Sequence, residues 1–392
     1  MKWKVVLLKV LGVQAALRVA DAFLPSSTTL SRDHLISNRL RSSTAGESQA
    51  VTTQEEAKEG AEGKFVWNKQ WYPVLSLKHT DAGRAQPVQL LGKDLVVWRN
   101  KEGRWSCFDD RCPHRAAPLT EGRVEKDGTL MCAYHAWRFD ADGKCLNIPQ
   151  SESGGRDEAQ PKACAKVYPT QVAQDIIWVW GENGPDAALE SAISSPALHK
   201  LAPGKKALKN AVTQRDLPYG WDTFIENVMD PTHVEVSHHG IMGNRYEAKP
   251  KPAELVDGVL SEKGLAVAFK SVRGPWRDTS SFTPPALVEI GAEKPEDCTF
   301  QLVVYNIPTR PGWSRMITYQ ASIVPQDSIA KRSFFKIQPR DMPDWFQHTL
   351  GHKFIAQDLV FLHHQEKTLA ASGIDSRNYG KAVYTPTASD TG

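Results

Sequence analysis

Short apolar runs punctuated by Gly, Asp and Asn dominate the first half of the chain after residue 62. Leu95 to Trp98, Trp105 to Phe108, Thr129 to Tyr134, Trp137 to Phe139 and Ile176 to Trp180 are β-prone in composition and too short for helices. Antiparallel β structure is the expectation for residues 63–185. Further on the pattern mixes. Leu265 to Phe269, Phe300 to Tyr305, Met316 to Ile323 and Ser333 to Ile337 again read as strands, but Trp221, Phe224, Ile225 and Val228 recur at helical spacing. Near the C-terminus, Phe354, Ile355, Phe361 and Leu362 flank Asp358 at i−4, i−3, i+3 and i+4, an apolar helical stripe with a carboxylate at its centre. Residues 186–392 are therefore expected to form an α+β domain on an antiparallel sheet.

The N-terminus has a different texture. Met1 to Lys4 is basic, Val5 to Leu17 is mostly apolar apart from Lys9, and Ala20-Asp21-Ala22-Phe23 offers a small-x-small cleavage site. Ser26 to Ser43 is rich in Ser, Thr and Arg and poor in acids. Residues 1–22 read as a signal peptide and 23–62 as a transit peptide followed by an Ala-, Glu- and Gly-rich linker. That order resembles the bipartite presequence of algae with secondary plastids; an ordinary secretory signal before a linker is the alternative. The formal charge of the whole chain is only +3, which argues against a nucleic-acid surface.

Chemistry enters at Cys112-Pro113-His114 and Cys132-Ala133-Tyr134-His135. Each short loop supplies one thiolate and one imidazole, the ligand set of a Rieske [2Fe–2S] cluster, whose potential lies between about −150 and +300 mV. The same four residues also suit tetrahedral zinc, although zinc fingers pair Cys with Cys and His with His. Electron carriers of the cytochrome-complex type add a third Cys to each loop. Ala117 and Tyr134 stand there instead, which favours an oxygenase. Cys107, Cys145, Cys164 and Cys298 are scattered and read as small buried hydrophobes.

An oxygenase needs a second iron, and two imidazoles with one carboxylate are its usual ligands. His233 and His238 are the expected imidazoles and Asp358 the expected carboxylate, because a buried carboxylate is costly unless a metal or a cation neutralises it. A salt bridge is the alternative for Asp358; Asp341, Asp344 and Glu366 are rivals in more polar surroundings, and His239 reads as a neighbour. A spacing of five cannot put both histidines on one face of a regular helix, so an irregular turn is expected between them. Asp230-Pro231 reads as the N-cap and first turn of a second short helix, with Asp230 either capping alone or holding the far nitrogen of His233.

From Trp71-Tyr72-Pro73-Val74 through Gln89 to Trp98, both cluster loops, Ile148-Pro149-Gln150, Glu226 to His233, Ser237 to Gly240 and Gln357 to His363, the chain resembles the pheophorbide a oxygenase group of Rieske-type non-haem iron oxygenases. The resemblance implies a β Rieske domain joined to a helix-grip catalytic domain. It also implies a [2Fe–2S] cluster on Cys112, His114, Cys132 and His135, and Fe(II) on His233, His238 and Asp358. Asp230 would be the catalytic link between the centres of neighbouring subunits in a head-to-tail homotrimer. Further implications are O₂ as co-substrate, ferredoxin as electron donor and a chlorophyll-derived tetrapyrrole whose macrocycle is opened. Chlorophyllide or protochlorophyllide methyl oxidation, an import-associated redox role and a non-tetrapyrrole plastid substrate are the alternatives within the group. Two departures stand out. Ala136 occupies a place where the group usually has Gly, and the sequence ends at Gly392 where relatives commonly continue into a Cys-x-x-Cys pair and membrane-spanning helices. A C-terminal truncation and an unanchored or peripheral protein are the two expectations that follow.

Overall fold

The apolar runs become strands packed on both faces. The structure, a computed structural model, describes residues 65–200, 211–241, 243–256, 264–270, 277–293, 299–323, 343–375 and 378–387. The presequence, Cys298, the expected strand Ser333 to Ile337 and Asp341 lie outside the described residues.

The first eleven strands are β1 Trp71–Ser76, β2 Gln86–Leu90, β3 Lys93–Arg99, β4 Trp105–Asp109, β5 Arg123–Val124, β6 Leu130–Met131, β7 Arg138–Phe139, β8 Cys145–Asn147, β9 Val167–Tyr168, β10 Thr170–Ala173 and β11 Ile176–Trp180. They form three antiparallel sheets, ordered β1-β11-β10, β2-β3-β4-β9 and β5-β6-β7-β8. The run Leu95 to Trp98 shows why no polar alternation was needed. Leu95 and Val97 point into one core with Tyr72, Val74 and Trp178, while Val96 and Trp98 point into a second core with Phe108, Leu130, Phe139 and the two cluster cysteines. A strand between two cores is apolar on both sides. Thr129 to Tyr134 is shorter than expected as a strand, since only Leu130 and Met131 pair and Tyr134 belongs to the second cluster loop.

The remaining strands are β12 Ala211–Leu217, β13 Ala253–Leu255, β14 Leu265–Lys270, β15 Arg277–Thr283, β16 Leu287–Glu293, β17 Thr299–Arg310 and β18 Trp313–Ile323, joined in one antiparallel sheet ordered β12-β18-β17-β16-β15-β14-β13. Helices α1 Pro185–Ile193, α2 Trp221–Met229, α3 His233–Ser237, α4 Asp344–Ala371 and α5 Tyr379–Ala382 are the α-helices among the described residues. Alternation along β16 to β18 divides the sheet's two faces. Leu287, Val303, Tyr305, Ile307, Ile317 and Tyr319 join the core of the first three sheets, whereas Val288, Val304 and Met316 pack with Phe224 of α2 and Leu362 of α4. The α2–α4 face is where the candidate ligands sit. Because the first of these cores runs through both strand sets, the described residues form one compact unit. Among them, no helix is long and apolar enough to cross a membrane.

Candidate functional site

The two cluster loops are built alike. Cys112 N donates to Ala117 O at 2.8 Å and Ala116 N to Cys112 O at 2.9 Å; in the second loop Cys132 N donates to Trp137 O at 2.9 Å and Ala136 N to Cys132 O at 3.1 Å. Ala116 and Ala136 turn each loop through the left-handed region, at φ 56° and 59°. Alanine is a strained choice there, which gives the Ala136 departure a physical meaning. Both thiols are buried and free of disulfides. The Cys112 thiol lies within hydrogen-bond reach of the Cys132 sulfur; this contact pushes one thiol of the pair up and holds the other down. The His114 and His135 rings stand 4.5 Å apart, and His114 stacks on Trp137 at 4.8 Å. Burial, together with His135 and Arg115, keeps the His114 imidazole below its ordinary pKa, hence neutral. Its Nδ1 is buried with no hydrogen-bond partner. Two sulfurs and two imidazoles thus converge between β4 and β7, a donor set that fits a [2Fe–2S] cluster.

The other thiols differ. Burial pushes Cys107 well up and Cys145 to about 11, as inert thiols in a core should be. Cys164 is only half-buried.

The second group of donors forms around α3. His233 is the first residue of this helix and His238 the residue just past its end, at φ −95° and ψ 30°. That is the irregular turn a spacing of five demands, and it brings the rings to 5.4 Å. The N-cap of α3 is Thr232 rather than Asp230. Asp230 instead closes α2 as its C-cap, and its Oδ1 accepts hydrogen bonds from Thr232 N, at 2.7 Å, and from Thr232 Oγ1. The expected N-cap at Asp230 is corrected accordingly: with Pro231 following, the chain needs two more residues before helical geometry resumes. Asp230 Oδ2 lies 3.6 Å from His233 Nδ1, long for a hydrogen bond, and that nitrogen has no closer partner. Burial opposes ionisation of Asp230, but His233 and Thr232 outweigh it and hold the carboxyl below its usual range.

Asp358 reaches the same place from the middle of α4. One ligand atom from each of His233, His238 and Asp358 lies within 4.8 Å of the others. His238 is fully buried and Asp358 is 3% exposed. His238 Nε2 is 3.2 Å from Asp358 Oδ2, yet neither Nε2 nor Asp358 Oδ1 makes a hydrogen bond. Unpaired polar atoms facing one another in a buried site are costly, and a cation between them removes that cost. Two imidazoles and a carboxylate match the donor set of a non-haem Fe(II) site with open positions. The stripe around Asp358 is narrower than expected. Ile355 and Leu362 pack into the core and Phe354 stacks on the His238 ring at 3.6 Å, but Phe361 is 41% exposed.

Of the rival carboxylates, Asp344 begins α4, and Glu366 caps α2 by accepting from Gly220 N and Thr223 Oγ1, both at 2.8 Å. His239 faces away and accepts from Arg245 N at 3.2 Å. Several supporting residues carried no sequence signal. Lys251 Nζ donates to Pro231 O at 2.9 Å and sits 3.6 Å from the buried Glu235, linking the entry to α3 with the helix's middle. Gln357 Oε1 stands 3.1 Å from His238 Nδ1.

Comparison with known proteins matches two regions of the chain. Residues 70–169 match the Rieske [2Fe-2S] domain and residues 282–375 match the pheophorbide a oxygenase domain. The chain is 36% identical over 360 residues to a chloroplastic pheophorbide a oxygenase of Oryza sativa subsp. japonica, covering 87% of this chain and 66% of the relative. The chain belongs to the pheophorbide a oxygenase group of Rieske-type proteins. Within this group it is also 33% identical to the chloroplastic flavonoid 8-hydroxylase 2 of Ocimum basilicum, over 85% of this chain and 64% of the relative. The chain thus spans just under two thirds of the length of these relatives. Among solved structures, that of Pseudomonas putida CBB5 NdmA with caffeine superimposes with a TM-score of 0.61 at 16% identity, covering 82% of this chain and 87% of that one, which supports the two-part fold.

Proposed function

We propose that this protein is a Rieske non-haem iron oxygenase that oxygenates a chlorophyll-derived tetrapyrrole and opens its macrocycle. The observation that carries the reading is the pairing of a converged Cys112, His114, Cys132 and His135 set with a buried His233, His238 and Asp358 set, in a chain 36% identical to a pheophorbide a oxygenase. Residues 63–185 would hold the cluster and residues 186–392 the mononuclear iron. When bound, these groups supply single electrons and the activation of O₂.

The chain's own residues prepare that chemistry. Cys112 and Cys132 bring their sulfurs into contact, so that one thiol is favoured as a thiolate, and His114 is held neutral. Asp230 Oδ2 faces His233 Nδ1 at 3.6 Å, from where a small approach would orient the ring and leave Nε2 for a metal. Its carboxylate side chain is 40% exposed, so it can take a further hydrogen bond from outside the chain. This suits a link to a cluster histidine of a neighbouring subunit in a head-to-tail homotrimer. Ferredoxin as donor and a plastid location are part of the same reading, the latter supported by the chloroplastic relatives and by the signal-then-transit order of residues 1–62.

One observation favours a second substrate: the flavonoid hydroxylase is nearly as similar as the pheophorbide a enzyme. Substrate-triggered reoxidation separates them. Protein loaded with both metals is reduced chemically, mixed with O₂, and followed by the cluster's reduced-state spectrum with pheophorbide a or a flavone present. Acceleration by pheophorbide a alone supports the proposal; acceleration by the flavone alone replaces it with aromatic hydroxylation.

A further inference from the structure

The two imidazoles of the His233, His238 and Asp358 group are oriented by chemically different partners. His233 meets the carboxylate of Asp230, which is part exposed. His238, fully buried, meets the neutral amide of Gln357 through Nδ1 at 3.1 Å, while Phe354 covers one face of its ring at an interplanar angle of 22°. Gln357 precedes Asp358 on α4, so a single stretch of helix supplies the carboxylate on one side of the imidazole and the amide on the other.

The amide decides what His238 can be. With Gln357 Oε1 as acceptor, Nδ1 carries the proton and Nε2 presents a lone pair toward Asp358. Nε2 lies 3.2 Å from an Asp358 oxygen without hydrogen-bond geometry, so that contact does not hold it as a donor. The opposite tautomer would put an N–H on Nε2, where a metal needs the lone pair.

We propose that Gln357 is a positioning residue that locks His238 as an Nε2 metal ligand. The inference rests on the metal reading of His233, His238 and Asp358, and its test reads metal binding rather than turnover. Full-length protein carrying its cluster but stripped of mononuclear metal is titrated with Co(II), followed by the metal's visible absorption, in wild type, Gln357→Leu, Gln357→Glu and His238→Ala. Gln357→Leu, which removes the acceptor at similar volume, is expected to weaken Co(II) binding about 10–100-fold. Gln357→Glu, which restores an acceptor, is expected to bring affinity back toward wild type. The cluster spectrum, unchanged in each, reports that the chain is folded. Wild-type affinity in Gln357→Leu, with binding lost in His238→Ala, overturns the role of Gln357 alone. Failure of Gln357→Glu to rescue also overturns it, because a packing role would be blind to the acceptor. Wild-type affinity in His238→Ala removes the metal reading and the inference with it.

Discussion

One methyl group at Gly243 should empty the mononuclear site without touching any ligand. Gly243 folds back on α3, donating its N–H to His238 O at 3.0 Å and accepting from Gly240 N at 3.0 Å. A Cβ there would lie 2.4 Å from Glu235 Cα, 2.5 Å from Val234 O and 2.6 Å from Glu235 O. All three are backbone atoms midway between His233 and His238, so no flexible side chain can swing aside. Relief to an ordinary contact requires the two backbones to part by about 1 Å. Metal–ligand distances tolerate only about 0.2 Å. Gly243→Ala should therefore cost about 1–3 kcal/mol by overpacking and weaken metal binding by at least about tenfold. The assay is iron per chain by elemental analysis after purification, with the cluster's visible spectrum as an internal reference. The expected result is a fall from about three iron atoms to about two, the cluster remaining intact. A variant that keeps its full iron and unfolds at the wild-type denaturant midpoint would refute the close approach on which this reasoning stands.

Other perturbations probe separate parts of the account. Glu366→Ala removes the acceptor of both Gly220 N and Thr223 Oγ1 at the start of α2, and should cost about 2 kcal/mol, read as a lower urea midpoint at unchanged slope. Ala136→Gly relieves a left-handed alanine and should gain about 0.5–1 kcal/mol after the unfolded-state entropy of Gly is set against it, seen as slower thermal bleaching of the cluster. Asp230→Asn should retain iron and cluster, yet slow substrate-dependent reoxidation of the cluster by about 10–100-fold; an unchanged rate would leave Asp230 as a capping residue only.

Much of the fold was legible because its signals are local. Ile176 to Trp180 is a strand over the expected residues, and Trp221, Phe224 and Val228 lie on the helix their spacing implies. The strand Arg277–Thr283 was not legible: its Arg, Asp, Thr and Ser carry no alternation, and it exists because it pairs with neighbours on both sides. At the candidate site, the residue types and spacings that nominate a ligand are visible in the chain. Of the groups around the ligands, Asp230 beside His233 is visible in the chain, but those that reach the site from far away are not. Glu366 meets Gly220 across 146 positions and Gln357 meets His238 across 119, contacts that tertiary packing alone creates. Asp230 illustrates a nearer failure: Asp-Pro suggests a helix start, but its carboxylate ties down Thr232 N and the helix begins later, at His233. Phe361 fails for geometric reasons. At i+3 from Asp358 it lies on the flank of the stripe, and the helix rotation that buries Asp358 and Leu362 turns it toward solvent.

The central claim is oxygen insertion into a tetrapyrrole, and a single-turnover experiment with labelled oxygen tests it most directly. Protein lacking residues 1–62, loaded with cluster and iron and reduced, would be mixed with oxygen-18 gas and pheophorbide a, with chlorophyllide a, protochlorophyllide a and a flavone in parallel. The account predicts label in pheophorbide a, with a product mass that reports ring opening. No label in any tetrapyrrole, while the cluster reoxidises normally, would contradict it.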